Sequence, residues 1–92
     1  MVENRIIVKH KAGLHARPAS LFVRTASKFN SEITVKNLSM GGDPVDAKSI
    51  LMVLTLGVTQ NNEIQIRAEG PDEQNAVQKL CELVTNNFGE DE

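Results

Sequence analysis

The hydrophobic positions of the chain follow two different periods along its length. Two segments, residues 32–36 and 63–68, alternate apolar and polar residues, the pattern of a half-buried strand, and residues 3–9 also read as a strand. Two longer segments, residues 16–28 and 71–88, repeat apolar residues at the spacing of an amphipathic helix. The pattern therefore predicts three strands and two long helices.

Two shorter elements lie between the second and third of these strands. The turn sequence Gly-Gly-Asp-Pro at residues 41–44 predicts a hairpin with a return strand around Val45-Asp46. The apolar run 50–56 follows Ser49, a favourable N-cap residue, and precedes Gly57, which suits the left-handed position after a helix. These signals predict a fourth, short strand and a short helix.

The predicted order of elements is βαββαβα. Alternating strands leave one face of a sheet in water, so the helices should cover only the other face. We therefore expect an α+β fold, an open-faced sandwich in which a four-stranded antiparallel sheet carries three helices on one face. With 92 residues and no linker, the chain is expected to form a single domain over residues 1–92.

Composition restricts the compartment. The hydrophobic fraction of 40% and the charged fraction of 24% are ordinary for a globular protein. Cys81 is the only cysteine, which excludes an intrachain disulfide and favours a reducing compartment, and its place on the apolar face of the last helix predicts burial. The sequence has no signal-peptide pattern and no apolar run of membrane-spanning length. We expect a cytoplasmic protein that does not insert into membranes.

Charge is unevenly distributed although the net charge is only −2. Residues 1–31 carry six basic side chains against Glu3, a local charge of +5, and residues 32–92 carry four basic and eleven acidic ones, a local charge of −7. This asymmetry favours an acidic partner surface near the N-terminal segment. A nucleic-acid partner is not expected, because the chain has no basic stripe with aromatic residues and no Trp or Tyr.

The segment from Gly13 to Ser20 carries the clearest chemistry. Pro18 suits a first helical turn, so a helix should begin at about residues 16–18 with His15 at its positive end. The unpaired N–H groups of that turn and the forked guanidinium of Arg17 can hold an anion. A neutral imidazole is a nucleophile near pH 7. These residues predict a histidine that accepts a phosphoryl group.

Three segments of the chain resemble one family. Residues 13–19, Gly-Leu-His-Ala-Arg-Pro-Ala, resemble the active-site signature of the histidine-containing phosphocarrier (HPr) family of the bacterial sugar phosphotransferase system. Residues 46–58 are similar to its second signature, a regulatory serine followed by a short apolar helix, and residues 68–80 resemble its last strand-to-helix junction. The resemblance spans essentially the whole chain. The hairpin over residues 37–44 is longer than is usual in the family.

The resemblance implies a phosphoryl carrier without a cofactor. His15 would accept phosphate through Nδ1 from phosphorylated enzyme I and pass it to sugar-specific enzyme IIA proteins or domains, while Arg17 stabilises the phosphate. The protein would be a stoichiometric, monomeric carrier and not an enzyme. The alternative is an HPr-like regulatory protein of nitrogen or carbon control that acts by binding other proteins.

Ser49 has two interpretations, which are compatible. Physically it is a helix N-cap. The resemblance implies a regulatory phosphoserine, with a serine kinase/phosphorylase and a catabolite-control regulator as further partners. Gram-positive relatives often carry Ile-Met-Gly after this serine, whereas this chain has Ile50, Leu51 and Met52, so the regulatory role stays open.

The apolar run from Ile50 to Leu56 is too long for a helix of under two turns to bury entirely. Exposed apolar residues beside a charged site suggest docking. The resemblance implies one partner-binding surface, which comprises Ala16, Arg17, Ser20, Ile50, Leu51, Leu54 and Thr55. Val53, Leu56 and Met52 are predicted to fill the core.

A metal site is the competing hypothesis for the two histidines, His10 and His15. Zinc sites need three or four converging ligands, and no acidic residue or cysteine lies near these histidines in the sequence. We predict no metal site, and we expect His10 to be an exposed residue in a loop or at a strand end.

Overall fold

The structure, a computed structural model, describes residues 1–89, so the predicted acidic tail at residues 90–92 lies outside the described residues. Its elements appear in the predicted order. They are β1 (Val2–Ile7), α1 (Ala16–Ala26), β2 (Glu32–Asn37), β3 (Val45–Asp46), α2 (Ile50–Leu54), β4 (Glu63–Glu69) and α3 (Glu73–Thr85), followed by a 3-10 turn (Asn87–Gly89).

The four strands form one sheet in the order β1-β4-β2-β3, and every neighbouring pair is antiparallel. The register places Ile6 opposite Ile64 and Val35 between Ile66 and Val45. The helices pack on one face, and α3 contacts both β1 and β4. The predicted open-faced α+β sandwich is confirmed.

Strand periodicity identifies the buried face correctly. Alternate residues of β4 (Ile64, Ile66 and Ala68) are fully buried against the helices. The opposite face is polar: Arg67 Nη2 lies 2.9 Å from Oε1 of Glu3 across the β1–β4 pair. The apolar residues join one core cluster that also takes in buried residues of the three helices.

The helices are shorter than the sequence pattern indicates. Helix α2 ends at Leu54 and not at residue 56, because the backbone N–H and the hydroxyl of Thr55 both donate to the carbonyl of Met52 and close the last turn. Helix α3 ends at Thr85 and not at residue 88. Phe88 is buried as predicted, but it lies in the 3-10 turn with a left-handed φ of 57°.

The start of α3 is tied to the turn between α1 and β2. The carboxylate of Asp72 accepts hydrogen bonds from the backbone N–H groups of Asn30 and Ser31, each at 2.9 Å, and from the Ser31 hydroxyl at 2.5 Å. Gly70 permits this close approach, because a Cβ there would lie 2.7 Å from Cα of Ser31. The junction therefore holds two distant segments together.

Three loops emerge at the same end of the sheet: residues 8–15 after β1, the long hairpin at 38–44, and residues 55–62 before β4. The buried Asn37 joins two of them, since its Nδ2 donates to the Leu56 carbonyl at 3.1 Å and its Oδ1 accepts from the Met40 N–H at 3.0 Å. The long hairpin is thus anchored at its base.

Cys81 departs from its predicted burial. It is only half-buried, because it lies at the margin between α3 and β1, in a groove that Asn4 also lines. Partial burial raises the pKa of that thiol. Within residues 1–89, no helix is long and apolar enough to cross a membrane.

Candidate functional site

The loop that carries His15 lies against the 58–62 segment. The Val8 N–H donates to the Asn62 carbonyl at 2.9 Å, and the Asn61 N–H donates back to the Val8 carbonyl at 2.6 Å. At the other end of the loop, the Leu14 N–H donates to the Val58 carbonyl at 3.1 Å. The chain is therefore fixed on both sides of residues 9–13, immediately before His15.

Gly13 makes this contact possible. Its φ is +62°, a conformation that favours glycine, and a Cβ there would lie 2.1 Å from the Val58 carbonyl oxygen. That oxygen is the acceptor of the Leu14 N–H, and the Leu14 side chain is fully buried. The residue before His15 is thus held by both backbone and core.

His15 occupies the N-cap position of α1, at the positive end of the helix where the sequence predicted it. Its backbone is extended, with φ −128° and ψ 164°, and its side chain makes no capping hydrogen bond. The imidazole is partly exposed, and the first turn of α1 contains no acidic residue. The ring therefore lies at the positive end of the helix dipole without being used to cap the helix.

The first turn of α1 contains a strained residue that the sequence did not indicate. Ala16 has φ +53°, a left-handed conformation that costs a residue with a Cβ about 1–3 kcal/mol. Pro18, two residues later, is buried and anchors the turn in the core. Ala16 and Arg17, which precede Pro18, are exposed, and Ser20 is partly exposed one turn after Ala16.

The short helix α2 packs beside α1 and presents an apolar surface. Val53 is fully buried, whereas Leu51 is 74% exposed and Met52 is 43% exposed. Ile50, Leu54 and Thr55 are also exposed. The prediction that Met52 fills the core is wrong. Only one side of α2 faces the sheet, and Val53 occupies that side.

Ser49 caps α2 as predicted. Its Oγ accepts the Met52 N–H at 3.4 Å, and its carbonyl accepts the Val53 N–H at 3.0 Å. The residue is partly exposed at the start of the apolar helix. The hydroxyl is therefore in an accessible position where added negative charge would meet the N-terminus of α2.

His10 is not the exposed residue that the sequence suggested. It is only 6% exposed, and its ring meets the ring of Phe88 edge to face, with centroids 5.8 Å apart. The 3-10 turn after α3 covers it, a contact between distant segments that no local pattern indicates. Among residues 1–89, no three His, Cys, Asp or Glu side chains come together in a group that could hold a metal ion.

The site as a whole suits an anionic group passed between proteins. The imidazole of His15 is accessible as a nucleophile, and first-turn N–H groups and the guanidinium of Arg17 lie beside it in the sequence of α1. An apolar helix lies next to this polar site. The arrangement combines a chemical centre with a surface on which another protein can dock.

Comparisons with known proteins agree with this geometry. The family model described as "PTS HPr component phosphorylation site" matches residues 2–86. The chain is 46% identical over 91 residues to phosphocarrier protein HPr of Xylella fastidiosa, and the match covers 99% of both chains. It is 45% identical over 83 residues to the multiphosphoryl transfer protein of Vibrio cholerae, of which it spans only 21%.

Solved structures give the same result. HPr from Thermoanaerobacter tengcongensis superposes with a TM-score of 0.94 at 48% identity over the full length of both chains. Crh of Bacillus subtilis, described as a catabolite repression protein and a domain-swapped dimer, has a TM-score of 0.71 at 39% identity, covering 95% of this chain and 97% of that chain. Sequence motifs, sheet order and relatives therefore agree that this chain belongs to the HPr family of phosphocarriers of the bacterial phosphotransferase system.

Proposed function

We propose that His15 is the residue that carries the phosphoryl group. The observation that supports this most directly is its position: an accessible imidazole at the N-terminus of α1 that makes no capping hydrogen bond. Phosphorylated enzyme I is the proposed donor, and sugar-specific enzyme IIA proteins or domains are the proposed acceptors. No cofactor takes part.

The proposed reaction is an in-line exchange between two nitrogens. The lone pair of the His15 Nδ1 attacks the phosphorus of the donor's phosphohistidine, and the donor's N–P bond breaks with its electron pair returning to the donor ring. The first-turn N–H groups of α1 and the Arg17 guanidinium stabilise the charge on the three equatorial oxygens. The reverse sequence delivers the group to the acceptor, so the carrier is recycled and is not itself an enzyme.

Docking is proposed to use a surface that we define as the α1–α2 surface. It comprises Ala16, Arg17, Ser20, Ile50, Leu51, Leu54 and Thr55. Contact between α1 and α2 and the exposed apolar side chains of α2 support this assignment. The local charge of +5 over residues 1–31 favours acidic partner surfaces, which would also speed the encounter.

We further propose that the carrier is a monomer, a single domain over residues 1–92 and a cytoplasmic protein. One continuous core cluster supports the single domain, and one unpaired cysteine fits a reducing compartment. Because Crh is described as a dimer, the proposed monomeric state needs its own test, which is light scattering.

The proposed phosphoacceptor is tested by labelling. The protein is incubated with purified enzyme I and phosphoenolpyruvate, and the modified residue is mapped by mass spectrometry. We expect one acid-labile, base-stable adduct on His15, and no adduct in the His15→Ala variant. A label that persists in a folded His15→Ala protein would overturn the proposal.

A second candidate function is regulation through Ser49, and its accessible position at the start of the exposed α2 favours it. A phosphate there would interact favourably with the N-terminus of α2, yet it would place negative charge within the α1–α2 surface. A serine kinase/phosphorylase would add and remove it, and a catabolite-control regulator would recognise it.

Two variants separate regulation from capping. Ser49→Asp should lower the rate of His15 phosphorylation by enzyme I while the melting temperature is maintained. Ser49→Ala should keep full transfer but lose about 1 kcal/mol of stability with the cap. If Ser49→Asp is phosphorylated at the wild-type rate, Ser49 is a helix cap without a regulatory effect on transfer.

A further inference from the structure

A buried histidine lies in the loop that leads to His15. His10 is 6% exposed, and its ring is covered by Phe88 of the 3-10 turn. Polar side chains are buried in native proteins when their hydrogen-bonding groups are satisfied. The contacts of this ring therefore indicate what the residue does in the loop.

His10 holds the next residues of the loop through both its side chain and its backbone. Its Nδ1 accepts the Ala12 N–H at 3.0 Å, and its carbonyl accepts the Gly13 N–H at 2.9 Å. The following N–H, that of Leu14, is bound to Val58. Three consecutive N–H groups before His15 are thus fixed, and the first depends on the imidazole.

The hydrogen bond also determines which ring nitrogen of His10 carries the hydrogen. Because Nδ1 accepts a hydrogen bond from the Ala12 N–H, Nδ1 itself carries no hydrogen, and the ring hydrogen lies on Nε2. A nearly buried ring packed edge to face on Phe88 has little freedom to turn away from the loop. His10 is therefore a rigid acceptor placed beneath the segment that carries His15.

We propose that His10 is a positioning residue for phosphoryl transfer at His15. Its Nδ1 and its packing on Phe88 fix residues 12–14, and through them the orientation of the His15 backbone at the start of α1. This inference rests on the proposed function of His15. Because His10 is buried, it acts on the transfer step after docking and not on the binding of the partner.

The test compares two substitutions of His10 in the full chain. His10→Ala removes the acceptor. His10→Asn retains one, because an asparagine side-chain oxygen can accept the N–H two residues further along the chain. Hydrogen exchange of the Ala12 amide reports the hydrogen bond directly, and steady-state phosphorylation by enzyme I reports kcat and KM separately.

We expect His10→Ala to lower kcat about tenfold, because small misplacements of a reacting group are costly in rate, with KM unchanged within a factor of two. Its Ala12 amide should exchange faster than in the wild-type protein. His10→Asn should restore both amide protection and most of kcat. Circular dichroism at the assay temperature verifies that each variant is folded.

Two results would overturn the positioning role. One is a wild-type kcat in His10→Ala although the Ala12 amide has lost its protection. The other is a kcat in His10→Asn as low as in His10→Ala although that amide is protected. A label that persists in His15→Ala would instead overturn the proposed function, so the two failures are distinguishable.

Discussion

At the scale of single residues, the chemistry depends on the groups that surround His15. Arg17 is exposed one residue beyond the strained Ala16, so its side chain contributes charge and donors to the site more than it contributes to the core. A guanidinium offers a planar pair of donors to a phosphate, which a lysine cannot reproduce. Its removal should therefore affect the reaction and leave the fold unchanged.

We predict that Arg17→Ala lowers the rate of His15 phosphorylation by about 100- to 1,000-fold, the range found when one donor to a developing negative charge is removed. The urea midpoint should stay at its wild-type value because the side chain is exposed. Arg17→Lys is the matched variant and should give an intermediate rate. An unchanged rate in Arg17→Ala would show that Arg17 is only a surface charge.

Residue-level prediction succeeded where local sequence determines the outcome. Pro18 predicted the start of α1, and Ser49 predicted the cap of α2. The burial of His10 was not predictable in this way, because it results from Phe88, which lies 78 positions further along the chain. The left-handed conformation of Ala16 is likewise imposed by the fixed loop before it and the buried Pro18 after it.

At the scale of elements, α2 is short enough that its exposed residues can be tested one at a time. Leu51 is its most exposed apolar side chain, at 74%. A charge there should obstruct an apolar partner surface because that charge would have to lose its hydration on docking. It should leave the core intact, since Val53 supplies the buried contact of the helix.

We predict that Leu51→Glu raises KM for both enzyme I and enzyme IIA by about tenfold, the loss typical of a central interface residue. The unfolding midpoint should not change. Met40→Glu, an equally exposed apolar position at 71% on the 38–44 hairpin, is the control and should leave both KM values unchanged. Loss of stability with normal KM would show that Leu51 supports the fold and not docking.

The strands were predictable from sequence and the ends of the helices were not. Apolar and polar residues alternate along the whole of β4, and this two-residue period indicates a sheet with one buried face. A helix end depends on one or two groups, as when the Thr55 hydroxyl binds the Met52 carbonyl and closes α2 early. Leu56 continues the apolar pattern beyond this point, so the pattern alone overestimates the helix.

At the scale of the whole molecule, the fold depends on junctions between segments that are distant in the chain. The Asp72 carboxylate joins the start of α3 to the turn before β2, 41 residues earlier, through Ser31 and Asn30. The Ser31 hydroxyl and the Asn30 N–H hold the pKa of Asp72 below its ordinary value. The ionised carboxylate is therefore the form that the folded state prefers.

This preference makes part of the stability depend on pH. A carboxyl group whose pKa is lowered by folding contributes stability above its unfolded pKa of about 4, and that contribution is lost as the pH falls through the lower folded value. We predict that Asp72→Asn lowers the urea midpoint clearly at pH 7 and less at pH 3, which lies below the ordinary pKa of a carboxyl group, so that part of the contribution of the ionised form is lost there. Ser31→Ala, which removes the largest cause of the lowered pKa, should reduce the same pH-dependent difference. If Asp72→Asn lowers the midpoint equally at both pH values, the junction depends on the shape of the side chain and not on its charge.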